Sequence, residues 1–416
     1  MNQKTRFNYG YVVVAAATII ILVGFGTYYS YSVFFDPLLN EFSWTRAQTS
    51  GAFSLATLVS GSLGILAGRI SDRLGPKIIC ISGGLFLGVG YILMSLVNAT
   101  WQVYLLYGIL LAIGISGLWP AAVSTVTRWF VEKRGLMTGI VTAGNGIGTV
   151  IFSPLLSHLI SSYNWRLAYV ITGIITAVFI VLAALFLKRK TGLIHSASNE
   201  RRFSGTAAAT GDFTFRQALR ARPFWILISI YFLFGYAQFS LMVHIVPYAI
   251  NLGISPIASA SVLAVIGASS ILGRLITGAI SDRIDVKLLF TVNLILLLIS
   301  LVILEFSQSL WPLYVVSLLF GLAYGGNSTS QSLVTVQLFG LASLGTLVGT
   351  FVFGVCLGGS IGPVITGFLF DVSGSYGLAF AICIMAAIIT LILNFSLTSH
   401  RKDTRGQFQS IKGDGR

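Results

Sequence analysis

Apolar residues fall into twelve blocks of roughly 20 residues along the chain, and this spacing limits what the chain can fold into. A helix of that length crosses a hydrocarbon core of about 30 Å, whereas shorter apolar blocks suit the core of a soluble protein. Only 9% of the 416 residues are charged, against roughly 25% in a soluble globular domain. The sequence therefore predicts an all-α polytopic membrane protein with twelve transmembrane helices.

The first block lacks a small-residue cleavage site, which favours a retained helix over a signal peptide. The predicted helices, numbered 1 to 12, cover approximately Gly10–Phe34, Ala47–Ala67, Ile78–Val97, Gln102–Val126, Leu136–Ile160, Leu167–Leu187, Phe224–Ile250, Ala258–Ile280, Leu288–Glu305, Leu310–Gln337, Leu344–Phe370 and Tyr376–Leu397.

Lysine and arginine are distributed unevenly between the two sides of this arrangement. With the N-terminus inside, 23 of the 26 lie on the cytoplasmic side, and only Arg46 and Arg166 lie on the other. The positive-inside rule therefore places both termini in the cytoplasm. The net charge of +14 is a topology signal, and no nucleic-acid partner is expected.

The longest polar segment divides the chain into two sets of six helices. It opens with three consecutive basic residues and ends in a short stretch, Phe213 to Arg220, that predicts an amphipathic helix at the membrane surface. The predicted organisation is an N-terminal six-helix bundle over 1–187, a cytoplasmic linker over 188–222, a C-terminal six-helix bundle over 223–400 and a cytoplasmic tail over 401–416.

The two halves carry the same loop motif. GRISDRLGPK, which starts at Gly68, follows helix 2, and GAISDRIDVK, which starts at Gly278, follows helix 8. A motif repeated at equivalent positions indicates duplication of a six-helix unit, as is common in transporters.

The first copy resembles the Gly-x-x-x-Asp-Arg-x-Gly-x-Lys/Arg loop motif of the major facilitator superfamily, and the second copy is a degenerate form of it. The resemblance covers essentially the whole chain and implies the two-bundle major facilitator fold. Aspartates at such helix ends can pair with arginines of the opposing bundle, which closes one face until the pairs break. The alternative is that these charges only terminate helices. The predicted gating residues are Asp72, Arg73, Asp282, Arg283 and Arg134.

The stretch WFVEKRGLMTGIVTAG over 129–144 resembles the helix 4–5 signature of the monocarboxylate transporter family. Glu132 stands where that family has a basic residue, and the related oxalate/formate antiporters share much of the pattern. The resemblance implies a bacterial homologue in the inner (plasma) membrane. It also implies that the substrate is a small monocarboxylate similar to lactate or pyruvate.

Arg274 is the only lysine or arginine inside the predicted blocks. It lies about 12 Å along helix 8 from Asp282, and a buried arginine usually faces a cavity or an anion because its burial costs several kcal/mol. One buried cation matches one carboxylate. The resemblance implies that Arg274 occupies the position of the carboxylate-binding arginine of monocarboxylate transporters. The aspartate which that family carries one turn earlier is Ser270 here, and the family's lysine on helix 1 is absent.

Polar and aromatic side chains at a similar depth are the other candidates for a substrate site. Helix 10 contains YGGNSTSQ from Tyr324, and its glycines allow a bend or the close approach of a ligand. Hydrogen bonding between helices is the alternative role for each candidate. The predicted substrate-binding residues besides Arg274 are Tyr324, Asn327, Tyr28, Tyr31, Asn145 and Gln238.

His244, toward the outer end of helix 7, and Asp36, near the outer face, are the proton-coupling candidates, although a buried structural histidine is the commoner case. The predicted function is proton-coupled symport of a monocarboxylate, and the alternative is organic-anion exchange. An enzyme is not expected, because the helices hold no nucleophile–base pair or metal cluster, and no cofactor is predicted. The predicted partners are a small organic anion, a proton and the lipid bilayer, and the monomer is expected to function alone.

Overall fold

The computed structural model describes residues 9–130, 134–188, 213–281, 283–340 and 343–397, without the side chains of residues 65, 69, 72, 134 and 135. Every regular element in these residues is helical. Twelve long helices follow one another: α1 Gly10–Phe42, α2 Arg46–Leu74, α3 Pro76–Met94, α4 Thr100–Trp129, α5 Arg134–Ser162, α6 Trp165–Leu185, α7 Arg222–Asn251, α8 Pro256–Ile280, α9 Val286–Glu305, α10 Leu310–Phe339, α11 Leu344–Ser373 and α12 Gly377–Phe395.

Ten of these helices are long and apolar enough to cross a membrane. The other two, α2 and α10, have 29 and 30 residues but contain more polar side chains. The prediction of an all-α protein with many membrane spans is confirmed. Twelve membrane crossings remain a prediction for which α2 and α10 are the open cases.

Several predicted helices were shorter than the helices of the structure. The helix α2 begins at Arg46 and ends at Leu74, so the loop motif after helix 2 lies largely within this helix. The surface helix predicted before α7 is a single turn, Phe215–Ala218. Residues at helix ends were assigned to loops because a charged side chain at the end of an apolar block does not reveal where the helix stops.

Gly75 makes the sharp turn between α2 and α3. Its φ of 93° lies in the left-handed region that favours glycine, and Pro76 starts α3 immediately afterwards. This glycine of the loop motif is therefore required by the backbone.

The first and last described residues lie at the same face of the molecule, here called the termini side. The hydroxyl of Tyr9 donates to the carbonyl of Phe186 beyond α6, and Lys287 at the start of α9 donates to the carbonyl of Leu397 beyond α12. The opposite face, where α1 ends and α2 begins, is called the far side.

The two halves, α1–α6 and α7–α12, are joined at the far side and at mid-depth. Among the described residues, every hydrogen bond between the halves lies at or beyond the level of Tyr324, the middle of α10. These bonds join Ser32 to Val243, Arg46 to Asp371 and Tyr376, Ala47 to Asp371, Ser50 to His244, and Asn145 to Tyr324. Among the described residues, the hydrogen bonds between the halves therefore close the far side.

Candidate functional site

Arg274 is buried on α8, with 6% of its surface exposed. Its Nη1 donates to the hydroxyl of Ser270 at 2.9 Å, and that hydroxyl in turn donates to the carbonyl of Gly267. The Nε atom of Arg274 is buried and has no hydrogen-bond partner. The local helix therefore uses part of the guanidinium and leaves a donor free.

Glycines allow α10 to lie directly against α8 at this point. A Cβ on Gly325 would lie 2.0 Å from the carbonyl oxygen of Ser270, and one on Gly273 would lie 2.3 Å from that of Leu322. The contact brings the ring of Tyr324 to 5.1 Å from the Cζ atom of Arg274. A guanidinium at that distance is attracted by the aromatic ring, which fixes its orientation.

The first half reaches the same group through α5. Asn145 donates from Nδ2 to the hydroxyl of Tyr324 at 3.0 Å. The neighbouring Gly146 packs on α8, where a Cβ would lie 2.5 Å from the carbonyl of Gly267. Helices from both halves therefore meet beside the Arg274 and Tyr324 pair at mid-depth.

The charge of Arg274 has no partner within the described part of the chain. The ion pairs there are Asp36 with Arg46 and Glu41 with Arg166, and Arg274 belongs to neither. An uncompensated cation with a free, buried donor at a junction between the halves can bind an anion.

Two further predicted substrate-binding residues are buried in the second half. Asn327 lies one turn from Tyr324 on α10, and its Oδ1 atom is buried without a partner. Gln238 is buried on α7. An unpartnered amide oxygen is costly unless a ligand or water donates to it, so Asn327 is the stronger of the two.

The structure does not bring Tyr28 and Tyr31 to Arg274. Both are buried in the first half, where Tyr28 approaches the hydroxyl of Thr57 and Tyr31 donates to the carbonyl of Thr49. Tyr29, which the sequence analysis passed over, is only half-buried and packs against Phe239 of α7. The helix rotation that decides among adjacent tyrosines is not visible in a block whose residues are mostly apolar on every side.

The two proton-coupling candidates lie in the far-side contact between the halves. His244 is fully buried, and its ring nitrogens lie within hydrogen-bonding distance of Ser50 at 3.0 Å and Tyr376 at 3.2 Å. Asp36 lies 3.7 Å from Arg46, and its second oxygen is buried without a partner.

The sequence analysis missed this far-side group as a unit. The sequence feature that could have indicated this group is Arg46. It is one of only two basic residues predicted on the side opposite the cytoplasm.

The predicted gating residues lie mostly outside the described residues. Asp282 and the side chains of Asp72 and Arg134 belong to those parts of the chain. Arg73 and Arg283 are described, and both are exposed at the termini side.

A family model and individual known proteins match this chain. The model of the Major Facilitator Superfamily matches residues 16–363 and 270–413. Monocarboxylate transporter 12 of Homo sapiens is 26% identical over 98% of this chain and 84% of its own length. The oxalate:formate antiporter of Oxalobacter formigenes is 27% identical over 60% of this chain and 57% of its own length.

Among solved structures, the chain resembles a bacterial homologue of the human lysosomal transporter Spinster in an inward-facing, occupied conformation. The TM-score is 0.69 at 18% identity, and the match covers 93% of this chain and 96% of the other. The predicted family resemblance is thereby confirmed, and the relatives include both transporter types that the helix 4–5 signature suggested.

Proposed function

Because this chain belongs to the Major Facilitator Superfamily, we propose that it is a secondary transporter for a small monocarboxylate such as lactate or pyruvate. In this proposal twelve helices cross the membrane as two six-helix bundles, 1–187 and 223–400, joined by a cytoplasmic linker. Both termini are cytoplasmic, so the closed far side faces away from the cytoplasm. The membrane is the bacterial inner (plasma) membrane, and one chain is the functional unit.

The observation that carries the proposal is the state of Arg274. The guanidinium is buried, is held by Ser270 and the ring of Tyr324, and retains an unused Nε donor. A carboxylate can accept two parallel hydrogen bonds from a guanidinium, and its negative charge makes them stronger than those of a neutral ligand. The single charge favours a monocarboxylate over a dicarboxylate.

Charge balance supports proton-coupled symport. With an empty site, Arg274 is an uncompensated cation, which disfavours the rearrangement that closes the halves around it. A bound monocarboxylate cancels the charge and allows the loaded protein to reorient. Symport further requires that the empty protein returns, although more slowly, and its net uptake is electroneutral if a proton accompanies the anion.

Organic-anion exchange is the second candidate. No described carboxylate pairs with Arg274, so within those residues no acidic side chain beside it is available to take up a proton as the anion leaves. If only the loaded carrier reorients, each anion that leaves must be replaced by another. The similarity to the oxalate:formate antiporter fits this mode.

The test is uptake of labelled lactate into proteoliposomes that contain Arg274→Ala, Arg274→Lys or the unmodified protein. Both variants are expected to lose uptake, and Arg220→Ala, an exposed arginine before α7, is the matched control. Full uptake in Arg274→Ala would contradict the proposal.

The same vesicles distinguish the two modes. Symport predicts that an inward proton gradient stimulates uptake by the unmodified protein. Exchange predicts that internal carboxylate accelerates uptake and that the gradient has no effect.

A further inference from the structure

The start of α2 is bonded to a carboxylate from the other half of the molecule. An α-helix leaves its first four backbone N–H groups without partners inside the helix, and these groups form a positive end. Here Thr45 and Gln48 satisfy one another in a capping box: Thr45 N–H donates to Gln48 Oε1, and Gln48 N–H donates to Thr45 Oγ1. The two N–H groups between them need other acceptors.

Asp371, near the end of α11, supplies both acceptors. Arg46 N–H donates to its Oδ1 at 2.8 Å, and Ala47 N–H donates to its Oδ2 at 2.9 Å. Both carboxylate oxygens are used, and the negative charge lies at the positive end of the helix, where it is most stabilising. The cap of α2 is therefore complete only while the two halves are in contact.

The backbone of α11 is shaped for this approach. Gly367 lies one turn before Asp371, and a Cβ there would lie 2.7 Å from the backbone nitrogen of Ala47 and 2.8 Å from the carbonyl oxygen of Arg46. Any larger residue would push the two helices apart. A glycine at this point thus lets the carboxylate reach the helix end.

The side chain of Arg46 strengthens the same contact. Its Nη1 donates to the hydroxyl of Tyr376 at 2.7 Å, and its Cζ lies 4.1 Å from the ring centroid of Phe370. The Tyr376 hydroxyl also lies 3.2 Å from Nδ1 of His244. Backbone and side chain at the start of α2 therefore both bind the second half.

We propose that Asp371 is the residue that latches the far side of the molecule, by capping α2 across the two halves. The latch holds the far side closed in the conformation described here and must break when that side opens. Once it breaks, water replaces the carboxylate at the two N–H groups, so Asp371 sets the balance between the two conformations without touching the substrate. This inference stands independently of the substrate class proposed above.

The experiment measures the separation of the halves at the far side. Spin labels on the exposed positions Asn98 and Gln308, one in each half, report this distance by double electron–electron resonance in the purified full-length protein. The three native cysteines are replaced by alanine in all samples. Asp371→Ala is expected to increase the population with the longer distance at least fivefold.

Three further variants distinguish the loss of the Asp371 latch from other causes of a longer distance. Asp371→Asn retains the side-chain volume and is expected to act in the same direction, which covers a failure of Asp371→Ala to fold. Gly367→Ala keeps the carboxylate but forces the helices apart, and it is also expected to favour the longer distance. Glu41→Gln is the control, because Glu41 pairs with Arg166 at the same side but inside one half.

The latch is supported if both Asp371 variants shift the distribution and Glu41→Gln does not. Unchanged distances in a folded Asp371→Ala or Asp371→Asn overturn it. A shift in Gly367→Ala alone would assign the far-side closure to packing rather than to the carboxylate, and would also overturn it.

Discussion

Arg46 is partly buried and Arg274 is buried. Both lie in contacts between the halves, but their surroundings differ. Around Arg46 the second half supplies the hydroxyl of Tyr376 and the ring of Phe370, and Asp36 lies 3.7 Å away. Around Arg274 there is a tyrosine ring but no carboxylate from the described residues, and Nε is unpartnered.

We interpret this as the difference between a structural cation and the proposed anion-binding cation. An arginine whose charge and donors are satisfied by the protein strengthens the contact it occupies. An arginine whose charge is left over is costly until something else pairs with it. The composition of the surroundings, rather than burial alone, therefore predicts which arginine binds an anion.

The largest expected effect is the loss of anion binding when Arg274 is changed. Arg274→Ala and Arg274→Lys should each weaken carboxylate binding by about 100-fold or more, since lysine lacks the planar fork. Isothermal titration of the purified protein with lactate measures the loss, and thermal unfolding shows whether the variant remains folded. Normal affinity in Arg274→Lys would mean that charge alone suffices.

A carboxylate placed beside Arg274 should make it resemble Arg46. Ser270→Asp places a carboxylate one turn before Arg274. The Ser270 hydroxyl now accepts a hydrogen bond from Arg274 Nη1. We expect carboxylate affinity to fall about 10-fold, because the substrate must displace an internal ion pair. Ser270→Asn has nearly the same volume and no charge, and an equal loss in that variant would point to steric crowding instead.

The converse change weakens the partnered arginine. Arg46→Lys keeps the charge near Asp36 but loses the planar contact with Phe370. We expect the far side to open severalfold more often, about 1 kcal/mol, while carboxylate affinity is retained. The spin-label distance described above measures the opening, and Arg166→Lys, whose partner Glu41 lies in the same half, is the control.

At the termini side, Asp72→Asn tests the gate predicted from the loop motif. It should slow lactate exchange about threefold and leave binding unchanged, because its effect is on a contact between halves rather than on the substrate. Exchange rates in vesicles and equilibrium titration separate the two. Loss of binding with a normal exchange rate would assign Asp72 a different role.

The last prediction concerns His244, whose replacement is also expected to have little effect on affinity. His244→Gln should change carboxylate affinity less than about twofold, since the ring contacts Ser50 and Tyr376 rather than Arg274. It should reduce stimulation by a proton gradient. If neither His244→Gln nor Asp36→Asn alters that stimulation, the imidazole and the Asp36 carboxylate are excluded as proton carriers.

Much of the fold of this protein can be predicted from local sequence. Apolar blocks determine where the membrane helices lie, since helix length and apolar composition are local properties. The position of Arg274 inside such a block marks it as an unusual cation, and the repeated loop motif marks the two halves. These conclusions need no knowledge of which helices touch.

Which residues contact one another across the protein is decided only by the tertiary structure. Arg46 and Asp371 are separated by 325 residues, and no local pattern pairs a helix start with a carboxylate so distant. The rotation of α1 placed Tyr28 and Tyr31 inside the first half and left Tyr29 at the junction, because packing against neighbouring helices sets which side of a largely apolar helix faces inward. The sequence alone thus identifies the charged residues, whereas the packing of the helices determines which charges are satisfied and which remain for a ligand.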